Sequence, residues 1–192
     1  MNKLAKPAIV LFVICVVIGA ALALTYGRTK DRIAASEAEA SNAARAEVLP
    51  GAEFVPVFAL DAAELARLSE YPVVTELYQA QADGVLAGYV ATVLAQGYGG
   101  EVTVIVGIDG TGRVAGVRVA KHSETPGLGA NAAKPEFYEP FAGKAAAGKL
   151  RVVKDAADSP DEEVSAISGA TITSNAVTDA VNTAAEYVLA LP

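Results

Sequence analysis

The chain of 192 residues contains one cysteine, one histidine and no tryptophan. Cys15 sits alone inside an apolar run, so no disulfide, thiolate metal cluster or dithiol couple can form within the chain. Any redox role needs a cofactor that does not depend on thiols. His122, the single histidine, rules out His-rich metal sites, and a Ser-His-Asp arrangement would hang on this one side chain. A structural His122 is the expectation. Positive charge is also scarce: 15 Lys and Arg stand against 22 Asp and Glu, for a formal net charge of −7. From Glu47 onward nineteen acidic side chains face nine basic ones, a net of −10. That sign excludes a nucleic-acid surface and disfavours adhesion to anionic lipid.

Apolar residues, in contrast, make up 53% of the chain. Ala8 to Tyr26 carries no charged side chain and is about long enough to cross a hydrocarbon core as a helix. Lys3 and Lys6 before it and Ala21-Leu22-Ala23 near its end also fit a cleaved signal peptide. The run exceeds a typical signal core, so residues 1–27 are read as a transmembrane anchor. The bulky Ile14 before Cys15 argues against lipidation there. Lys3 and Lys6 on one side balance Arg28, Lys30 and Arg32 on the other, which leaves orientation open. Residues 28–50 are dense in Ala, Glu and Arg and end at Pro50-Gly51, so a helical stalk is expected there, either extended or folded back on the following domain.

Residues 51–192 read as one α+β domain, an antiparallel sheet packed with helices. A short helix is expected at Asp61 to Ser69. Strands Val73 to Ala80 and Val85 to Ala95 flank the turn Asp83-Gly84, and strands Val102 to Ile108 and Arg113 to Ala120 flank Asp109-Gly110-Thr111-Gly112. Such short connections require antiparallel pairing. A short helix near Pro135 to Phe141, a fifth strand at Leu150 to Val153 and an exposed acidic loop from Asp155 to Glu163 follow. The last run, Asn175 to Leu189, places Ala176, Val177, Ala180, Val181, Ala184, Val188 and Leu189 on one helical face, which should cover the sheet.

Chemistry concentrates in Ser168-Gly169-Ala170-Thr171-Ile172-Thr173-Ser174. Gly169 and Ala170 let a bulky group approach the backbone, Thr171 offers a hydroxyl, and a helix starting near Ser174 presents N–H groups to an anion. The same residues also suit a plain helix N-cap. His122-Ser123-Glu124-Thr125-Pro126-Gly127-Leu128-Gly129 follows a strand, with Pro126-Gly127 fitting the centre of a type II turn. Arg113, Arg118, Lys121, Lys134, Lys144, Lys149, Arg151 and Lys154 gather most of the domain's positive charge, either as phosphate partners or as a solvated face.

Gly97-Tyr98-Gly99-Gly100, the HSETPGLG loop and the SGATITS segment occur in an order and spacing that resemble the G subunit of the Rnf electron-transport complex. The C subunit of the sodium-pumping NADH:quinone reductase is a more distant resemblance. The likeness extends over nearly the whole chain. It implies FMN held covalently by a phosphoester on Thr171, placed there by a flavin transferase, with Ser168, Gly169 and Ala170 around the link and Thr173 and Ser174 supporting the turn. It implies that Glu124, Thr125 and Leu128 lie against the isoalloxazine and that Lys154 approaches the flavin. One departure is Ser165, where the family often has an acid three residues before the serine of the motif. The implied role is an electron relay among the other Rnf subunits, which couple ferredoxin and NAD to ion movement. The implied location is a single-pass membrane anchor with the flavin domain on the extracytoplasmic side. A non-redox scaffold subunit, or an anchored flavin domain serving another extracytoplasmic reductase, are the alternatives.

Overall fold

A computed structural model describes residues 5–65, 70–156 and 161–191. Helix α1 spans Ala5–Val48, and the chain divides into two compact units between Ser41 and Asn42. From Ala8 to Leu24 the helix is apolar on every side, with Ile9, Leu11, Phe12, Val16, Ile18, Leu22 and Leu24 all exposed. Its most apolar stretch has a mean hydropathy of 3.0, long and apolar enough to cross a membrane. The hydroxyls of Thr25 and Thr29 donate back to Ala21 O and Thr25 O, each at 2.9 Å, which satisfies them without water.

The second unit begins with the last turns of α1, Asn42–Val48, and is built on a five-stranded antiparallel meander. Its strands are β1 (Glu53–Ala59), β2 (Val73–Ala82), β3 (Val85–Gln96), β4 (Glu101–Asp109) and β5 (Val114–His122), in spatial order 1-2-3-4-5. Asp83 at φ 52° and Gly84 at φ 77° make the tight β2–β3 turn that an Asp-Gly pair favours. β1 is a strand that the sequence does not announce, because Pro56 in its middle cannot donate to a ladder. An edge position, with a register irregularity next to Pro56, accommodates it. A single turn, α2 (Ala62–Leu65), realises the start of the helix expected at Asp61 to Ser69, whose end lies outside the described residues.

Beyond β5 the chain makes a 3-10 turn (Gly129–Ala133), α3 (Pro135–Tyr138) and a second 3-10 turn (Glu139–Phe141). The fifth strand expected at Leu150 to Val153 is not part of the meander. As β6 (Arg151–Val153) it pairs in parallel with β7 (Glu163–Ser165) in a separate two-stranded sheet. Residues 157–160 of the expected acidic loop lie outside the described residues. Helix α4 (Thr171–Leu189) starts four residues before the expected Asn175. Thr171, Ile172 and Thr173 are β-branched and weak helix formers, and tertiary contacts override that preference.

Side chains alternate between the two faces of the sheet. Leu77, Ala91, Val93, Val104, Val106 and Val117 share one core with Val177, Ala180, Val181 and Ala184 of α4. Leu189, expected on that face, is exposed. On the other face Val90 and Ile105 receive Val48. Gly107 and Gly116 are paired in register beneath Val48, where a side chain at 107 would sit 2.4 Å from Val48 Cγ1. Arg45, almost fully buried, pairs with Glu76 and lies 4.0 Å from the Tyr78 ring centroid. Arg118 Nε donates to Glu47 Oε2 at 2.8 Å while its guanidinium stacks on Tyr138. Two charged clamps and one valine thus fasten the end of α1 to the sheet.

Candidate functional site

The β3–β4 hairpin closes through Gly97–Gly100, with Gly97 N–H donating to Gly100 O at 2.9 Å. Nothing larger than hydrogen fits at Gly99, where an added Cβ would lie 2.4 Å from Ser123 O. The hairpin tip therefore rests directly on the Ser123-Glu124 backbone that leaves β5. Next along the chain, Leu128 N–H donates to Thr125 O at 3.1 Å, and Gly127 holds φ 81°. This is the type II turn expected of Pro126-Gly127. Asn131 Nδ2 donates to Gly127 O at 3.0 Å and holds the turn from behind.

Glu124 joins this loop to both neighbours. Only 6% exposed, its Oε1 accepts from Gly99 N–H at 2.9 Å and its Oε2 accepts from the Thr173 hydroxyl at 2.8 Å. Added Cβ atoms at Gly97 or Gly129 would each fall 2.2 Å from one of those carboxylate oxygens. Glycine at both positions is a condition for burying the carboxylate. His122 plays a supporting part, accepting from Glu124 N–H through Nδ1 at 3.3 Å, consistent with the structural role read for it.

The start of α4 is fixed by Ser174, whose hydroxyl donates to Ala170 O and accepts from Ile167 N–H, both at 2.9 Å. Gly169, at φ 75°, turns the chain into the helix. No side chain caps that helix, because Ala170 occupies the cap position. The plain N-cap reading of the motif therefore does not describe this helix. Its first turn presents N–H groups and the positive end of the helix dipole without a side-chain partner.

These three segments enclose a cavity of about 470 Å³ lined by Tyr98, Glu124, Thr125, Leu128, Gly129, Gly169, Ala170, Thr171, Ile172 and Thr173. That volume lies within the usual range of small-molecule sites, roughly 300–1,000 Å³. Of the residues read from the sequence, Glu124, Thr125, Leu128, Gly169, Ala170 and Thr171 line it. Ser168 is exposed next to the lining, and Lys154 is exposed beyond β6 and is not part of the wall. None of the eight basic residues of the sequence cluster lines the cavity. Arg113 instead bonds Gly143 O, and Arg151 pairs with Glu163. Tyr98, Gly129, Ile172 and Thr173 complete the wall. Tyr98 and Ile172 carry no sequence signal beyond a large apolar side chain inside a motif, since nothing in a sequence tells an exposed aromatic at a hairpin tip from a buried one.

Residues 97–186, which contain the entire lining, match the FMN-binding domain family, and residues 1–48 match the RnfG N-terminal region. The chain is 40% identical over 182 residues to the G subunit of the Na(+)-translocating ferredoxin:NAD(+) oxidoreductase complex of Acetobacterium woodii, covering 92% of this chain and 87% of the relative. The chain belongs to the RnfG family, the G subunits of Rnf complexes. A second RnfG relative, the G subunit of the ion-translocating oxidoreductase complex of Methanosarcina acetivorans, is 35% identical, over 98% of this chain and 96% of its own. Members of the family are thus subunits of ion-translocating oxidoreductases. The C subunit of the Na(+)-translocating NADH-quinone reductase of Parabacteroides distasonis superposes with a TM-score of 0.52 at 28% identity, covering 67% of this chain and 66% of its own. NqrC of Shewanella oneidensis shares the fold, with a TM-score of 0.54 at 19% identity over 77% and 88% of the two chains.

Proposed function

We propose that this chain is the electron-relay subunit of a membrane-bound ion-translocating ferredoxin:NAD oxidoreductase and carries FMN joined by a phosphoester to Thr171 Oγ1. The observation that carries the reading is the position of Thr171: exposed, first in an uncapped helix, and in the wall of the cavity within the FMN-binding stretch. The wall fits this cofactor in three respects. Gly169 and Ala170 let the phosphate approach the backbone, the first turn of α4 faces it with N–H groups, and Leu128 and Ile172 offer apolar surface to a ring.

The absence of a basic residue from the lining favours a covalent link over a free cofactor. A phosphate monoester is largely a dianion near neutral pH, whereas the phosphodiester formed with Thr171 carries one negative charge, which a helix N-terminus can offset. Forming it makes one P–O bond to Oγ1 and breaks one to a departing nucleotide, with the hydroxyl proton leaving alongside. The donor must be a flavin phosphoanhydride handled by a flavin transferase. FMN supplies the one- and two-electron chemistry, and the chain supplies attachment, orientation and the membrane anchor.

From Ala8 to Tyr26 the ionisable side chains are the Cys15 thiol and the Tyr26 phenol, with no Asp, Glu, Lys, Arg or His to form an ion path, so translocation belongs to the other subunits of the complex. The flavin domain stands on the extracytoplasmic side. In-gel flavin fluorescence after denaturation tests the site on full-length chain made together with a flavin transferase. Wild type is expected to fluoresce and Thr171→Ala to be dark, and a fluorescent Thr171→Ala band overturns the assignment. Unchanged electron flow through an assembled complex carrying Thr171→Ala would favour the scaffold role.

A further inference from the structure

Tyr98 is 74% exposed yet lines the cavity, at the tip of the β3–β4 hairpin. Single exposed aromatics are common and need no explanation. This one differs in how rigidly its backbone is held. Gly97 and Gly99 pack against Glu124 and Ser123 so closely that neither tolerates a Cβ, and Gly99 N–H is bonded to the buried Glu124 carboxylate. The same carboxylate bonds Thr173, two residues beyond Thr171. One buried side chain therefore ties the hairpin tip that carries Tyr98 to the start of α4 that carries Thr171, and both residues line the cavity. Leu128 and Ile172, 45% and 54% exposed, form the remaining apolar rim.

We propose that Tyr98 is the stacking platform of the site, its phenol ring covering one face of the isoalloxazine. The inference rests on the flavin being attached at Thr171. A cofactor tethered only by its phosphate tail keeps its ring free to swing, and the rim offers only aliphatic side chains besides this aromatic. Offset stacking of aromatic rings is worth roughly 0.5–1.5 kcal/mol beyond burial, enough to hold the ring against the hairpin for most of the time. The electron-rich face of the phenol also opposes added electron density on the ring it covers, which lowers the midpoint potential.

The test uses full-length, flavin-loaded chain carrying Tyr98→Leu or Tyr98→Phe. Denaturing-gel fluorescence first measures loading, and a dark wild-type band would sink the attachment at Thr171 independently of Tyr98. Per bound flavin, native emission is then compared with emission of the same sample after denaturation. A stacked phenol quenches flavin emission, so both variants should emit about threefold to tenfold more than wild type, the stacked-to-unstacked ratio such a pair sustains. Tyr98→Phe keeps a ring and should retain the visible circular dichroism bands, whereas Tyr98→Leu should lose them and show a raised midpoint potential. Wild-type emission and circular dichroism in both variants overturn the proposal. If Tyr98→Leu is not loaded, Tyr98→Phe decides by its emission alone.

Discussion

Glu124 commits both carboxylate oxygens to groups on other segments, the Gly99 amide and the Thr173 hydroxyl, and little water reaches it. Truncation to alanine leaves the buried Thr173 hydroxyl unpaired, at a cost of about 1–3 kcal/mol before relaxation, and frees the Gly99 N–H of a partly buried bond. Glu124→Ala should therefore lower the urea midpoint substantially and reduce flavin loading. Glu124→Gln should be far milder. Its amide oxygen can still accept from Gly99, and its NH₂ can donate to Thr173, whose hydroxyl rotates to accept. Equal denaturation midpoints for the two variants would contradict this account. The sequence marks Glu124 through a resemblance that places it against the flavin ring. Its hydrogen bonds show in addition a strut between two loops, which no sequence pattern reveals because its partners lie 25 and 49 residues away.

At the level of elements, the β2–β3 and β4–β5 hairpins are legible because their Asp-Gly turns are local chemistry. Asp109 Oδ1 accepts from the Thr111 and Arg113 amides at 2.8 and 3.0 Å and from the Thr111 hydroxyl at 2.7 Å. Partial burial pushes its carboxyl upward, but these bonds and the nearby Arg113 charge outweigh it and hold the group below the usual aspartate value. A depressed pKa adds stability above the unfolded-state value of about 3.9, and that stability is lost as pH falls through the folded value. Asp109→Asn should thus cost under about 1 kcal/mol at neutral pH, after solvent screening, and the gap to wild type should close below pH ~4. A gap that widens on acidification would count against it. The seat of α1 on the sheet is not legible, since it depends on Gly107 and Gly116 coming into register under Val48. Gly107→Ala should destabilise the domain by about 1–3 kcal/mol through overpacking. In Gly107→Ala/Val48→Ala the two losses should sum to less than their separate values, and full additivity would rule out the contact.

For the whole molecule, topology is the property that charge around the anchor leaves open. Labelling of Glu136→Cys, an exposed position, in a Cys15→Ser background tests it. An impermeant maleimide should react in intact cells, and reaction only after permeabilisation would place the flavin domain in the cytoplasm. Local and periodic physics fixes the features readable along the chain: an uncharged run long enough to span a bilayer, hairpins set by turn residues, a covering helix set by its apolar spacing, and short motifs dense in glycine and hydroxyls. Tertiary structure decided the rest. It made β1 an edge strand around Pro56, drew β6 away into a parallel pair with β7, and started α4 at Thr171 despite a β-branched first turn. It brought Tyr98, Glu124 and Thr171 to one cavity while leaving Lys154 outside. Those outcomes depend on contacts between residues distant in the chain, whose energies exceed the small local preferences that a sequence displays.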